Sequence, residues 1–389
     1  MLRAFKYRMF TNTNQERELS IALETHRRLY NECLSIRIMA YQCYGATFTY
    51  FDSSNWFTRQ RKINPYFSRL NFSSARGTMR RLDQSYANFF RRCKEGAEKP
   101  GFPRFKGRDF FNSIEYPSHG DGIRLTGNRL RVQHVGIIRV KLHRPIQGKV
   151  KTLRLKREAG KWYVILSCEL PDVPIIENGK PAVGLDVGLT HFLTTSDGKH
   201  EPNPRYLKTA LPELRRAGRA VSRKKLRGKN RRKSVGRLQK IHVRVANCRR
   251  EHHFQLACRL VLAFGFIAAE ALSIKNMLAN GRLSRSISDA GWCSFLNILK
   301  HKAESAGVRY VEVDPRGTSQ GCSACGQEVR KDLSVRWHEC PHCGLSMDRD
   351  ENAARNILAR GLARTAPAEV NVGHKVKRPP RSRCLKAAE

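Results

Sequence analysis

Acidic residues are scarce in this sequence: 33 Asp and Glu stand against 74 Lys and Arg, a formal charge of +41. Self-repulsion on that scale is hard to sustain unless a polyanion neutralises it, so nucleic acid is the expected partner. Long apolar runs are missing too. No stretch approaches the roughly 18 residues that would span a bilayer, which excludes a transmembrane helix. The basic residues run the length of the chain instead of filling one amphipathic segment, which speaks against a membrane-surface binder. The first residues, MLRAFKYRMFTNTNQ, lack the apolar core and small-residue cleavage site of a secretory signal, so a cytoplasmic location is expected. No internal repeat stands out. Cysteine is not rare, but close pairing is: of twelve cysteines only four recur at short, regular spacing. The other eight, scattered from Cys33 to Cys384, read in a reducing compartment as buried small hydrophobes or plain thiols.

What is present describes a globular chain. A hydrophobic fraction of 40% over 389 residues predicts two or three domains. Between residues 14 and 40, Leu19, Leu23, His26, Tyr30, Cys33 and Leu34 recur at helical spacing, and helical, aromatic-rich sequence continues to about Cys93. The stretch KPGFPRFKGR at 99–108 breaks that pattern and marks a boundary. From 113 to 171 short apolar runs alternate with basic residues and turns, which predicts a small antiparallel β-barrel or sandwich. MLRAFKYRMF alternates in the same way and could complete that sheet, making the helical region an insertion. Between Arg205 and Arg250 the only acid is Glu213; helix is expected from about Val235, with Gly228 and Gly236 in a loop between two basic helices. The tail after Ala366 is expected to be poorly ordered.

Three carboxylates fall at the ends of regular elements. Asp186 closes a short apolar strand in PAVGLDVGLTHFLTT, followed directly by a second strand. Glu270 ends the apolar run VLAFGFIAAE, and Asp350 stands at the mouth of a helix in MDRDENAARNILARGL. Two-metal phosphodiester hydrolysis needs carboxylates clustered to hold Mg²⁺ ions about 4 Å apart, and element ends hold ligands more rigidly than loops. Each acid also has a plainer reading: a turn residue, a strand-end surface acid, or, for Asp348 and Asp350, the N-cap of the helix. Cys322-x2-Cys325 and Cys340-x2-Cys343 have the spacing of a closed tetrahedral Zn²⁺ site, which would be structural and take no part in hydrolysis. His338 and His342 lie nearby, but four thiolates leave them no place.

The sequence resembles TnpB, the OrfB-type proteins of bacterial insertion sequences, over nearly its whole length. The landmarks are FKYRMF, GFPRF, GLDVGL, RAVSRKKLRGKNRRK, IAAEAL, ISDAGW, TSQGCSACG, CPHCG and DRDENAARNIL, in that order. The resemblance implies an α/β fold with β-barrel and helical modules: a wedge β-barrel over 1–10 and 100–178, a helical recognition domain over 11–99, an RNase-H-like RuvC nuclease domain over 179–317 and 347–365, and a zinc ribbon over 318–346. It maps the catalytic, Mg²⁺-holding acids onto Asp186, Glu270 and Asp350, leaves Asp348 as a neighbour or cap, and places the zinc on the four cysteines. Family members are RNA-guided DNA endonucleases that use a non-coding RNA from the transposon end, require a short motif beside the target, and are relatives of type V CRISPR effectors. Intact acids argue against the family's nuclease-dead repressors, and a missing HxH pair against a single-strand transposase. A junction resolvase would leave the helical and β-modules unexplained. One departure concerns the position after the glutamate, often polar in the family and here Ala271, so that a supporting hydrogen bond is expected to be absent.

Overall fold

The computed structural model describes residues 1–365 except Asn178, Leu333 and Ser334; the expected disordered tail lies outside the described residues. The chain forms two compact units, Met1–Asp172 with Pro212–Arg244, and Val173–Leu211 with the remainder from Val245. Among the described residues no helix is long and apolar enough to cross a membrane.

In the first unit, strand β1 (Leu2–Phe10) is followed by helices α1 (Thr13–Tyr44), α2 (Tyr50–Ile63), α3 (Pro65–Ser68) and α4 (Phe72–Lys94). Strands β2 (Ser113–Tyr116), β3 (Ile123–Thr126), β4 (Arg129–Val132), β5 (Gly136–Lys141), β6 (Lys149–Glu158) and β7 (Lys161–Glu169) come next. They build one seven-stranded sheet in the order β2-β6-β7-β1-β5-β4-β3. Thus β1 lies in its middle, antiparallel to both β5 and β7, and the four helices fall between β1 and β2 in the chain. Period-2 alternation explains β1: Phe5, Tyr7 and Met9 are buried while their neighbours are not. Their core partners are Trp162, Val164 and Leu166 of β7 and Leu19, Tyr30, Leu34, Met79 and Leu82 of the helices. Reciprocal hydrogen bonds between Asn12 and Gln15 fix the start of α1. The expected β-barrel is present as a near-barrel sheet: β2 and β3 are its end strands, and no ladder joins them among the described residues. Each is only four residues long and has one partner.

The second unit carries β8 (Ala182–Asp186), β9 (His191–Thr195), β10 (His200–Pro202), β11 (Phe266–Glu270) and β12 (Arg309–Val313). These form a five-stranded sheet in the order β10-β9-β8-β11-β12. Strands β8, β9 and β10 are a meander, whereas β11 and β12 run parallel to β8. Helices α5 (Tyr206–Ser222) and α6 (Lys229–Ala263) occupy the basic stretch, and the division between units falls inside both. Gly236 is inside α6 and not in the connecting loop, which ends at Gly228. An exposed helix interior tolerates one glycine for about 1 kcal/mol when the residues around it favour helix. The short helices α7 (Ile274–Leu278) and α8 (Ser284–Ala290) precede α9 (Trp292–Ala306). One sheet face packs Val183, Leu185, Ile267 and Ala269 against Leu256 and Leu260 of α6 and Trp292, Phe295 and Leu299 of α9. The chain then passes through a hairpin of β13 (Trp337–Glu339) and β14 (Ser346–Asp348) into α10 (Arg349–Thr365), which covers the other face.

Candidate active site and four-cysteine centre

Strand register sets two of the acids side by side. Parallel pairing matches Phe266 with Ala182 and continues to Ala269 with Leu185, so Glu270 and Asp186 are the next pair, at the carboxyl ends of both strands. Side chains two residues apart share a face. Asp186 therefore lies on the face of Gly184, and Glu270 on that of Ala268, which is the face α10 covers.

Helix α10 can lie so close only because Gly184 has no side chain. A Cβ there would stand 2.0 Å from the Ala354 carbonyl oxygen and 2.7 Å from the Leu358 nitrogen. Gly361 on the helix is its counterpart, since a Cβ would meet that of Ala268 at 2.6 Å. This double close approach brings the first turn of α10 to the strand ends, where Asp350 Oδ2 lies 3.8 Å from the point a Gly188 Cβ would occupy. Asp348 caps the helix: its Oδ1 accepts from the amides of Asp350 at 2.8 Å and Glu351 at 3.1 Å. Asp350 is left free of capping.

The three acids are half-buried, and Asp186 feels the charge of the other two. Burial and then the negative charges of Glu270 and Asp350 raise the Asp186 carboxyl well above its usual range, against opposing help from Arg349 and the Val187 amide. Burial also raises Glu270, opposed by a hydrogen bond from Thr318 and by the Arg360 charge. Like charges held together out of water suit a hard divalent cation bound through oxygens. The carboxylates are not packed as tightly as the four cysteines described below.

Four residues outside the sequence-predicted set brace this site. Along α10, Asn352, Asn356, Arg360 and Arg364 recur every fourth position and grip the main chain leaving β12. Arg364 donates to the Glu312 carbonyl, and Arg360 to those of Asp314 at 3.0 Å and Arg316 at 2.7 Å. Asn356 donates to the carbonyls of Thr318 at 2.9 Å and Gly321 at 2.7 Å. Fully buried Asn352 donates to Gly321 and accepts from the Ser323 amide. The four-residue spacing of these side chains was the signal available in the sequence. Ala271 offers no side-chain bond, and its amide serves the Val313 carbonyl; Glu270 takes its support from Thr318 instead.

The four cysteine sulfurs lie within 4.8 Å of one another, the one such His, Cys or carboxylate group among the described residues. Cys322 and Cys343 are 3.6 Å apart at Sγ, as are Cys325 and Cys340. A disulfide would need about 2.05 Å, whereas a tetrahedron with metal–sulfur bonds of about 2.3 Å has edges near 3.8 Å. Both knuckles fold alike. Gly326 donates to the Cys322 carbonyl and Gly344 to that of Cys340, and both glycines are left-handed, at φ 76° and 74°, a conformation that favours glycine in the Cys-x2-Cys-Gly repeat. His338 is buried and touches Lys331, not the quartet.

Over 372 residues the chain is 33% identical to a Streptomyces pristinaespiralis protein named as a candidate RNA-guided DNA endonuclease, covering 94% of this chain and 90% of that protein. The chain belongs to the TnpB (OrfB-type) family. A second relative of the family, InsQ of Escherichia coli K12, named in the same way, is 28% identical with 97% of each chain covered. Within this TnpB-family chain, the "Probable transposase" model of OrfB type matches residues 166–281 and the Cas12f1-like TNB domain model residues 292–357. The associated helix-turn-helix model matches 1–46, which here are a strand and one long helix. The structure of the mini-RNA-guided endonuclease CRISPR-Cas_phi3 overlays distantly, covering 92% of each chain at 10% identity and a TM-score of 0.48.

Proposed function

We propose that this chain is an RNA-guided DNA endonuclease of a transposable element, with Asp186, Glu270 and Asp350 as the acids of an RNase-H-like, RuvC-type site. The observation that carries the reading is the meeting of these three carboxylates on one sheet face, where their charges oppose one another. The sheet order supports it. A three-stranded meander whose first strand is continued on its other side by two parallel strands, β11 and then β12, is the arrangement an RNase-H-like domain calls for, with acids on the first and fourth strands. Relatives named as RNA-guided DNA endonucleases supply the class of substrate, and the charge of +41 suits a chain that holds both a guide and a target by their phosphates.

In this reading the three carboxylates hold divalent Mg²⁺, which supplies an activated water and charge stabilisation at the leaving oxygen. Carboxylates ligate only when ionised, so the raised Asp186 makes protons and cations compete for the site. Thiolates of Cys322, Cys325, Cys340 and Cys343 hold one Zn²⁺ that fixes the ribbon between β12 and α10. The guide is a non-coding RNA from the transposon end. Residues 1–10 and 100–178 act as the wedge, 11–99 as the helical recognition domain, and 179–317 with 347–365 as the nuclease around the ribbon at 318–346.

The purified complex, with its own RNA and Mg²⁺, should cut a DNA library of randomised flanks beside a matched target. Asp186→Ala and Asp350→Ala should abolish cutting and leave RNA binding intact. Target binding without cutting in the parent protein would mark a repressor, and RNA-independent cutting of branched DNA a resolvase; either result overturns the proposal.

A further inference from the structure

Thr318 belongs to neither the acids nor the cysteines, yet it touches the one and introduces the other. It is 3% exposed, in the turn that carries the chain from β12 to Cys322. Its Oγ1 lies 2.5 Å from Glu270 Oε1 and 3.0 Å from the Pro315 carbonyl oxygen. A hydroxyl has one proton for these two acceptors. The carboxylate, charged and nearer, takes it.

The main chain of Thr318 is held in its turn. Asn356 of α10 grips its carbonyl, while Arg360 and Asn352 hold the backbone on either side. Asp350 stands two residues before Asn352 on that same helix. We propose that Thr318 is the positioning residue for Glu270, and that the polar ladder of α10 ties the placement of Glu270 to that of Asp350. A hydroxyl suits the task because it can donate to the Glu270 carboxylate from a buried position. The first cysteine knuckle begins four residues later, so a folded ribbon and a correctly aimed Glu270 depend on the same turn. This inference rests on the reading of Glu270 as a metal ligand.

The test compares the full-length parent, purified with the RNA it retains, with Thr318→Val, Thr318→Ser and Asp186→Asn. Mn²⁺ is titrated and followed by electron paramagnetic resonance, and the carboxylate site is counted as the binding lost in Asp186→Asn. Thr318→Val keeps the shape and removes the hydroxyl; it should weaken that binding by about 10–100-fold, the usual cost of losing a group that orients a ligand. The Mg²⁺ concentration for half-maximal cutting should rise in parallel. Thr318→Ser should stay within about threefold of the parent on both measures. Parental Mn²⁺ affinity in Thr318→Val overturns the proposal, as does an equal loss in Thr318→Ser, which would assign the effect to the methyl group. Should Thr318→Val not fold, Thr318→Ala takes its place against Thr318→Ser under the same criteria. If parent and Asp186→Asn bind Mn²⁺ identically, the metal-site reading itself fails and takes Thr318 with it.

Discussion

Asp186 is a carboxyl in an unfavourable place: burial and two neighbouring acids raise its pKa. A raised carboxyl holds its proton more tightly folded than unfolded, so it costs stability as pH climbs above the unfolded value near 4. Asp186→Asn should therefore raise the melting temperature without divalent ions, by about 2–4 °C if the relief is near 1 kcal/mol. Added Mg²⁺ should stabilise the parent, increasingly so towards higher pH, and leave Asp186→Asn unmoved. Calorimetry with and without Mg²⁺ from pH 5.5 to 8 checks both. His26 behaves in the opposite sense. It is buried between Thr78 and Ser74, and burial pushes its pKa down to about 3. Stability is then fully present above the unfolded histidine value near 6.5 and is lost as pH falls towards 3. Between pH 7.5 and 5 the parent should lose about 2 kcal/mol more than His26→Gln in urea unfolding; equal losses would contradict the assignment.

Helix α10 is the element on which the site depends, because it delivers Asp350, presses on Gly184 and grips the chain before the cysteines. Gly184→Ala places a Cβ 2.0 Å from a carbonyl oxygen and should cost about 1–3 kcal/mol. It should also cut Mg²⁺-dependent cleavage more than ten-fold by displacing Asp350, with RNA binding unchanged in a filter assay. Strand ends and the helix mouth were legible in the sequence because apolar runs stop at Asp186 and Glu270 and a helical pattern starts beside Asp350. The register that pairs the two strands was not, because it is settled by long-range packing. The same limit hid Thr318, whose partner Glu270 is 48 residues away. Gly184 could be read as part of a motif but not as the contact point of a helix 170 residues on, since that role exists only once α10 is laid across the sheet. The strand order of the first sheet was illegible for a related reason: alternation reveals a strand but not which strands become its neighbours.

For the whole molecule, the excess of positive charge makes nucleic-acid binding an ion-exchange process. Raising salt from 50 to 200 mM should weaken RNA and DNA affinity by about 10³-fold or more if six to ten phosphates are contacted. A slope near zero would mean that the basic surface is not the binding surface. The cysteine ribbon should matter to cutting without contributing chemistry: Cys322→Ser, or chelation of the Zn²⁺ proposed for the four cysteines, should lower the cleavage rate through the Thr318 turn. Guided cutting at the three acids is the central expectation for this protein. The most direct measurement replaces the target-pairing stretch of the copurifying RNA with a new sequence and maps the cuts on DNA bearing both old and new targets. The account predicts that cutting moves to the new target, requires Mg²⁺ and vanishes in Asp186→Asn. Cutting that stays at the old target, or persists in Asp186→Asn, would contradict it.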